Sequence, residues 1–343
     1  MNADGSVNSG VQKDLPAVAV VVTTCNRPDF LPQTIESVIA QDYAGSIEII
    51  VVDDGSTDHT AEVVSPYTDR YGDATGNRCL RYVYQTNQGL AMARNTGFAA
   101  TAAPFVAFVD DDDICEAAKV TRQVEAMQAD SDVGLVHTSF RYIDRDGAFV
   151  DEGPQRTNNP CTGDCADVLL NELMVISSTV MVRRSAMERI AAAEPHGLPY
   201  DPKWVRSQDY DMALRMARLS RFAYIPEPLL RYRLHEGNIA MSVGNIKRAY
   251  GYHCRVQLDF ARRYGHEIGV DQAEAKRRVA AFLLARGESF FWQRRLHSAL
   301  QMCELAEELE VCDSRFTALR RRAARPAWLY AVKDRFDRLM GRG

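Results

Sequence analysis

The chain has 343 residues, 46% of them apolar and 25% charged, with a formal net charge of −5. These are globular proportions, which exclude collagen-like, low-complexity and disordered chains, and the length suits two domains or one large α/β domain with an appendage. No apolar run approaches the ~18 residues that span a bilayer, and residues 1–16 lack the apolar core of a secretory signal, so they read as a disordered tail and the chain as cytoplasmic.

Residues 17–115 alternate between two hydrophobic periods. Ala17–Val22 is short, continuous and β-branched, as a strand buried on both faces should be. Pro28–Ala40 carries Leu31, Ile35, Val38 and Ile39 at helical spacing. Ile47–Val52 is a second strand, Asp58 to about Tyr71 a helix, and Leu80–Tyr84 a third strand. Gly89–Thr101 is a helix and Pro104–Val109 a fourth strand. Such alternation implies a parallel sheet covered by helices, with its ligand site beyond the carboxyl ends of the strands. Those ends carry Thr24 and Arg27, Asp53-Asp54, and Asp110–Asp113. Polar and acidic groups therefore gather on one edge.

Beyond Cys115 the pattern loosens. Val120, Val124 and Met127 mark a helix, Val133–His137 a strand, Phe140–Gly163 a turn-rich stretch and Ile176–Val182 another strand. Ser207 is placed to cap a helix that runs to about Leu219. From Ile246 onward the chain reads as helices near 246–264, 272–291, 294–310 and 314–340. Ala281–Trp292 and Leu296–Leu309 are expected to form a hairpin, with Ala299, Cys303 and Ala306 in its seam.

Charge is distributed unevenly. Residues 1–239 carry 21 basic and 34 acidic side chains, whereas residues 240–343 carry 20 basic and 12 acidic. The acidic body argues against a nucleic-acid partner. Six of the eight cysteines are scattered, as buried thiols in a reducing compartment would be. Cys161 and Cys165 form a C-x3-C pair with no second ligand pair nearby, so two unligated thiols are expected rather than a zinc site.

The sequence has no GxGxxG, no GxxxxGK[ST], no GxSxG and no HExxH. A dinucleotide fold of the usual kind, a P-loop, a serine-hydrolase elbow and a zincin helix are therefore unsupported. The sharpest local feature is the tetrad Asp110–Asp113. Adjacent carboxylates raise one another's pKa values, and a hard divalent cation that completes its shell with substrate phosphates would relieve the repulsion.

The segment VVVTTCNRPDFLPQTIESVIAQDYAGSIEIIVVDDGSTDHT resembles the opening of family 2 glycosyltransferases, which have the GT-A fold. The likeness continues through NQGLAMARNTGFAATAAPFVAFVDDDD, SSTVMVRRSAMERI, LPYDPKWVRSQDYDMALRMA and RLHEGNIA, in order, over roughly residues 17–240. It implies an α/β, mostly parallel, Rossmann-like GT-A domain at 17–240, with a nucleotide-sugar half to about 115 and an acceptor half from 116. A helical C-terminal extension at 241–343 follows.

The resemblance also implies roles. Thr24, Arg27, Asp53 and Asp54 match positions around the nucleotide base, with the choice between the two aspartates open. Asn87, Gly89 and Arg94 match the stretch beside the nucleotide. Asp110-Asp111-Asp112 matches the DxD motif, in which Asp110 faces the ribose and Asp112 holds Mn2+ or Mg2+ across the diphosphate, while Asp113 anchors the loop. Asp209 matches the catalytic base, although Gln208 stands where the family usually has Glu. Asp211 reads as an exposed or supporting acid. His235 matches a further metal ligand found in some members.

The expected reaction is inverting, metal-dependent transfer from a nucleotide-sugar, a UDP-sugar first, to a saccharide or lipid-linked saccharide in surface polysaccharide assembly. A carboxylate must take the proton of an acceptor hydroxyl during attack, and an acid near a helix N-terminus is held ionised by the helix dipole. Two rivals are a nucleotidyltransferase of similar fold and a non-catalytic nucleotide-sugar-binding protein. The first would want a Gly-rich basic loop where TTCNRPDF stands, and the second would have lost carboxylates that are present here. Residues 315–343 place Leu319, Trp328, Leu329, Val332, Phe336, Leu339 and Met340 among nine basic residues. That pattern fits peripheral contact with an anionic membrane, packing on the catalytic domain, or packing on a second copy in a homo-oligomer.

Overall fold

The structure is a computed structural model that describes residues 15–72, 76–151, 160–171, 175–236 and 246–325. The chain divides into two compact units. The first comprises residues up to Arg141 with Ser177–Glu188 and Ala223–Tyr232, and the second comprises Tyr142–Ile176, Arg189–Phe222 and residues from Arg233 onward.

In the first unit, β1 (Val18–Thr24), α1 (Leu31–Ile39), β2 (Ile47–Asp54), α2 (Thr60–Tyr71), β3 (Arg78–Gln85), α3 (Leu90–Ala99) and β4 (Phe105–Asp110) follow the expected alternation. Strand β1 lies between β2 and β4, and the β1–β2, β2–β3 and β1–β4 pairs are all parallel. All seven β1 residues are buried, as a central parallel strand requires. Val18, Val20 and Val22 share one cluster with Leu31, Ile35 and Val38 of α1.

On the other face of β1, Val21 meets Gly97 of α3, where an added Cβ would lie 2.2 Å from Val21 Cγ1. The helix approaches the sheet so closely that no side chain fits. Gly97→Ala is therefore expected to cost about 1–3 kcal/mol through overpacking. A urea midpoint equal to wild type would contradict the close approach.

Next come β5 (Ile114–Cys115), α4 (Lys119–Ala129), β6 (Val133–Ile143), β7 (Phe149–Val150), α5 (Ala166–Asn171), β8 (Met181–Arg183), α6 (Arg184–Ala192), α7 (Gln208–Leu219) and β9 (Arg221–Arg233). The sheet order is β3-β2-β1-β4-β8-β6-β9-β5, with β7 on β6. Strand β8 runs antiparallel to both β4 and β6.

One expectation is corrected here, and one strand was not expected. The strand expected over Ile176–Val182 is a 3-10 turn at Ser177–Thr179 followed by only three strand residues. The turn wins because its polar groups find partners far along the chain. Ser178 Oγ accepts from Asp110 N at 3.0 Å, and Thr179 O accepts from Gln123 Nε2 at 2.8 Å. Strand β9 gave no expectation at all, since Pro226 and Pro228 demote a strand reading. Its pairing with β5 lies past both prolines, at Leu230 and Arg231.

The second unit holds α8 (Ile246–Tyr264), α9 (Gln272–Trp292), α10 (Leu296–Glu308) and α11 (Ser314–Ala323). Helices α9 and α10 form the expected hairpin. Ala299, Cys303 and Ala306 are buried against Val279, Leu283, Phe290 and Phe291. Asp271 and Asp313 cap α9 and α11 by accepting from Glu274 N and Arg315 N.

Leu319 is not available as a membrane anchor. It is fully buried, and its Cδ2 occupies the space beside Gly287. Arg320 and Arg322 pair with Glu307 and Glu288. The other apolar anchors of that segment, from Trp328 on, lie outside the described residues. Among the described residues no helix is long and apolar enough to cross a membrane. Cys161 and Cys165, expected as two free thiols, are bonded to each other.

Candidate active site

The strand register assembles the first unit's polar edge. Thr24 pairs with Asp53, and Thr23 with Asp110, so the ends of β2 and β4 flank the end of β1. Period-2 alternation cannot reveal this, because it depends on which residue faces which across the ladder.

Asp53 and Asp54 are both buried and both tie loops. Asp53 accepts from Ser56 N at 2.7 Å and from the Tyr82 hydroxyl. Burial, then the bond to Asp53, pushes the Tyr82 pKa up. Asp54 accepts from Gln85 Nε2 at 2.7 Å and from Gln88 N and Gly89 N at 2.8 Å each. Gly55 has φ +81°, and an added Cβ would meet Asn87 N at 2.6 Å, so the turn requires glycine. Asn87 is exposed, and Gly89, at φ +87°, stands at the N-terminus of α3. The neighbouring loop is pinned too. Asn26 N donates to Ser56 Oγ and Asn26 Oδ1 accepts from Thr57 N, each at 2.8 Å.

Three of the tetrad's four carboxylates meet two arginines. Arg94, fully buried on α3, donates to Asp110 Oδ1 at 2.8 Å. Arg27 Nη1 bonds Asp112 Oδ2 and lies 3.2 Å from Asp111 Oδ1. Arg27 thus meets the tetrad directly. The Thr34 hydroxyl lies 2.9 Å from Asp111 O and 2.8 Å from Asp113 O, holding the loop to α1. Burial pushes Asp111 up to about 7, opposed by the Arg27 charge and assisted by Asp112. Thr24 Oγ1 and Asp111 Oδ2 are buried and make no hydrogen bond of ordinary geometry, although the Thr24 hydroxyl acts on Asp111 to favour its charged form.

Among the described residues, no three His, Cys, Asp or Glu side chains converge as an all-protein metal cage requires. A magnesium-type site needs no such cage, since one or two carboxylates suffice when substrate phosphates complete the shell. Asp112 and the buried, unbonded Oδ2 of Asp111 are hard oxygen donors of that kind.

Asp209 and His235 belong to the second unit. Asp209 is half-buried in the first turn of α7. Ser207 stands at the N-terminus as expected, but in the left-handed region at φ 60° and without a side-chain cap bond. That backbone is uncommon for a non-glycine residue and costs strain. The flanking residues hold the helix down. The Tyr210 hydroxyl donates to Leu169 O at 2.7 Å, and its ring stacks on His253 at 4.4 Å. Burial pushes His253 down to about 3, so the imidazole is neutral at ordinary pH. Asp211 is not exposed, which corrects that part of its reading; it pairs with Arg215 and Arg263. His235, half-buried, follows β9, where Leu234 N donates to Ile143 O at 2.8 Å.

Sequence reasoning missed Thr34, Tyr82, Gln85 and Ser178. Each lies far along the chain from the carboxylate or loop it supports, and a lone hydroxyl or amide in an apolar helix or strand carries no periodic signal.

The family described as Glycosyl transferase family 2 matches residues 19–191. An uncharacterized glycosyltransferase of Nostoc sp. is 31% identical over 253 residues, covering 72% of this chain and 74% of that protein. Another, from Methanocaldococcus jannaschii, is 26% identical over 245 residues, covering 71% of this chain and 79% of that one. Among solved structures, S. aureus TarS in complex with UDP-GlcNAc superposes with a TM-score of 0.59 at 18% identity, over 88% of this chain and 83% of that one. The Pyrobaculum calidifontis mannosyltransferase PcManGT, in complex with GDP-Man and Mn2+, gives 0.55 at 19% identity, over 90% and 86%. These likenesses place the fold among the GT-A glycosyltransferases.

Proposed function

Because the chain belongs to glycosyl transferase family 2, we propose that it is an inverting, metal-dependent glycosyltransferase that moves a sugar from a UDP-sugar to a hydroxyl of a saccharide or lipid-linked saccharide in surface polysaccharide assembly. The observation that carries this reading is the polar edge itself. Register places Thr24, Asp53 and Asp110 together at the carboxyl ends of β1, β2 and β4, where a ligand of such a sheet binds. Solved neighbours of this fold hold UDP-GlcNAc in one case and GDP-Man with Mn2+ in the other.

In this reading Asp53, Asp54, Asn87 and Gly89 shape the base and ribose end of the donor site, with Thr24 beside them. Arg94 holds Asp110 toward the ribose. Asp112, with Asp111 beside it, would hold Mn2+ or Mg2+, which when bound supplies charge stabilisation to the leaving diphosphate. His235 is a candidate further ligand. Asp209 takes the proton of the acceptor hydroxyl as its oxygen attacks the anomeric carbon. The bond from that carbon to the diphosphate breaks, and the electron pair leaves with the diphosphate. Attack from the opposite face converts an α-linked donor into a β-glycoside.

The test is a panel of sugar nucleotides with Mn2+ or with excess chelator, without acceptor and then with candidate acceptors. Sugar release or transfer supports the reading. Exchange of nucleoside monophosphate would indicate a nucleotidyltransferase, and binding without turnover a non-catalytic protein. Asp112→Asn is expected to weaken Mn2+-dependent donor binding by at least about tenfold, the scale on which a charge-assisted ligand is lost, with an unchanged thermal midpoint. Full turnover in excess chelator would rule out the metal requirement.

A further inference from the structure

Three successive carboxylates face guanidinium groups contributed by two different segments. Arg94 serves Asp110, while the single nitrogen Nη1 of Arg27 serves both Asp111 and Asp112. Arg27 differs from Arg94 in accessibility. The Arg94 side chain is 2% exposed, whereas that of Arg27 is 30% exposed. The backbone that carries Arg27 is held by the bonds of Asn26 to Ser56 and Thr57. Its long side chain can therefore move without its loop.

A divalent cation takes a carboxylate oxygen at ~2.0–2.2 Å. A guanidinium nitrogen already lies on Asp112 Oδ2. Two cations sharing that oxygen would stand only ~4 Å apart, where like charges repel strongly even at an effective dielectric constant of ~20. A metal on Oδ2 therefore competes with Arg27, and one on the other oxygen still lies close enough to be repelled by it. We infer that Arg27 is an internal counter-cation which a divalent metal must either displace from Asp112 or bind against, so that Arg27 sets a low metal affinity in the protein without nucleotide. The inference rests on the assignment of Asp112 as a metal ligand under the proposed function. It gives Arg27 a task at the phosphate end of the site rather than at the base, because a displaced guanidinium is suited to a bidentate bond with phosphate oxygens.

The experiment is titration of the full chain with Mn2+ alone, reading free Mn2+ by electron paramagnetic resonance, with no nucleotide present. Arg27→Gln is expected to bind Mn2+ at least about tenfold more tightly than wild type, by relief of the repulsion. Arg27→Lys, the milder change, should show a smaller gain. Arg70→Gln removes an exposed charge elsewhere on the same unit and should match wild type. Adding Asp112→Asn to Arg27→Gln should abolish the gain. Affinities of both Arg27 variants equal to that of Arg70→Gln would overturn the inference, as would a gain that survives Asp112→Asn. Sugar transfer by wild type is scored separately. Transfer without the Mn2+ shifts defeats only the counter-cation, and the Mn2+ shifts without transfer defeat only the proposed function.

Discussion

Under the proposed function, Asp209→Asn is expected to lower kcat by about 10²–10⁴-fold, the usual contribution of a general base, and to leave donor affinity unchanged. The expectation follows from where the side chain sits. Its helix begins at a strained Ser207 and is fixed from within by Tyr210 and Asp211, the residues that follow Asp209. Asp209 itself remains half-buried and accessible. The amide has the same shape as the carboxylate, so the helix should not move, and what is lost is the ability to take a proton. An effect confined to the transition state lowers kcat without raising the donor KM. Steady-state kinetics with an active acceptor, together with donor binding by calorimetry, separates the two quantities. A wild-type kcat in this variant would remove Asp209 from the role of base.

Asp211→Ala destabilises the second unit by about 3–5 kcal/mol, the cost of leaving a buried charge without its partner. Arg215 is fully buried, and its Nε and Nη2 lie 2.8 and 2.6 Å from Asp211 Oδ2. Arg263 lies 3.3 Å from the other Asp211 oxygen and 2.7 Å from Glu194. Burial raises the Asp211 pKa, the two arginines oppose that rise, and the Asp201 charge adds to it. Among the described residues, removing the carboxylate leaves the fully buried Arg215 with only the Pro199 carbonyl at 2.6 Å and Glu194 at 3.7 Å, while Arg263 keeps Glu194 and Asp259. The thermal midpoint should fall by roughly 6–20 °C, and adding Arg215→Met should recover part of the loss by removing the buried charge. An unchanged midpoint for Asp211→Ala would show that the pair contributes no stability.

The different origins of these two expectations show where sequence reading succeeds. Asp209 could be proposed from its place in an ordered set of motifs. The burial of Asp211 could not, because an acid in the first turn of a helix is ordinarily solvated. Its partner Arg263 lies 52 residues away along the chain. Likewise the tetrad was visible as four adjacent acids, but the pairing of three of them with Arg27 and Arg94 arises from contacts 85 and 16 residues apart. The turn at Ser177–Thr179 and strand β9 were misread or missed for a related reason. Local propensity was overruled by hydrogen bonds to distant groups and, in β9, by pairing on either side of two prolines.

By itself the sequence determined the parallel β/α alternation of residues 17–115, the carboxylates at the strand ends, the helical hairpin of α9 and α10 and the family. Each of these is written in short-range periodicity or in contiguous motifs. Only the tertiary structure decided which residues stand level across β1, β2 and β4, which cation meets each carboxylate, and that Leu319 faces a core. Those facts depend on strand register and on helix packing against partners far away in the chain, and the energies that select them exist only once the partners are brought together.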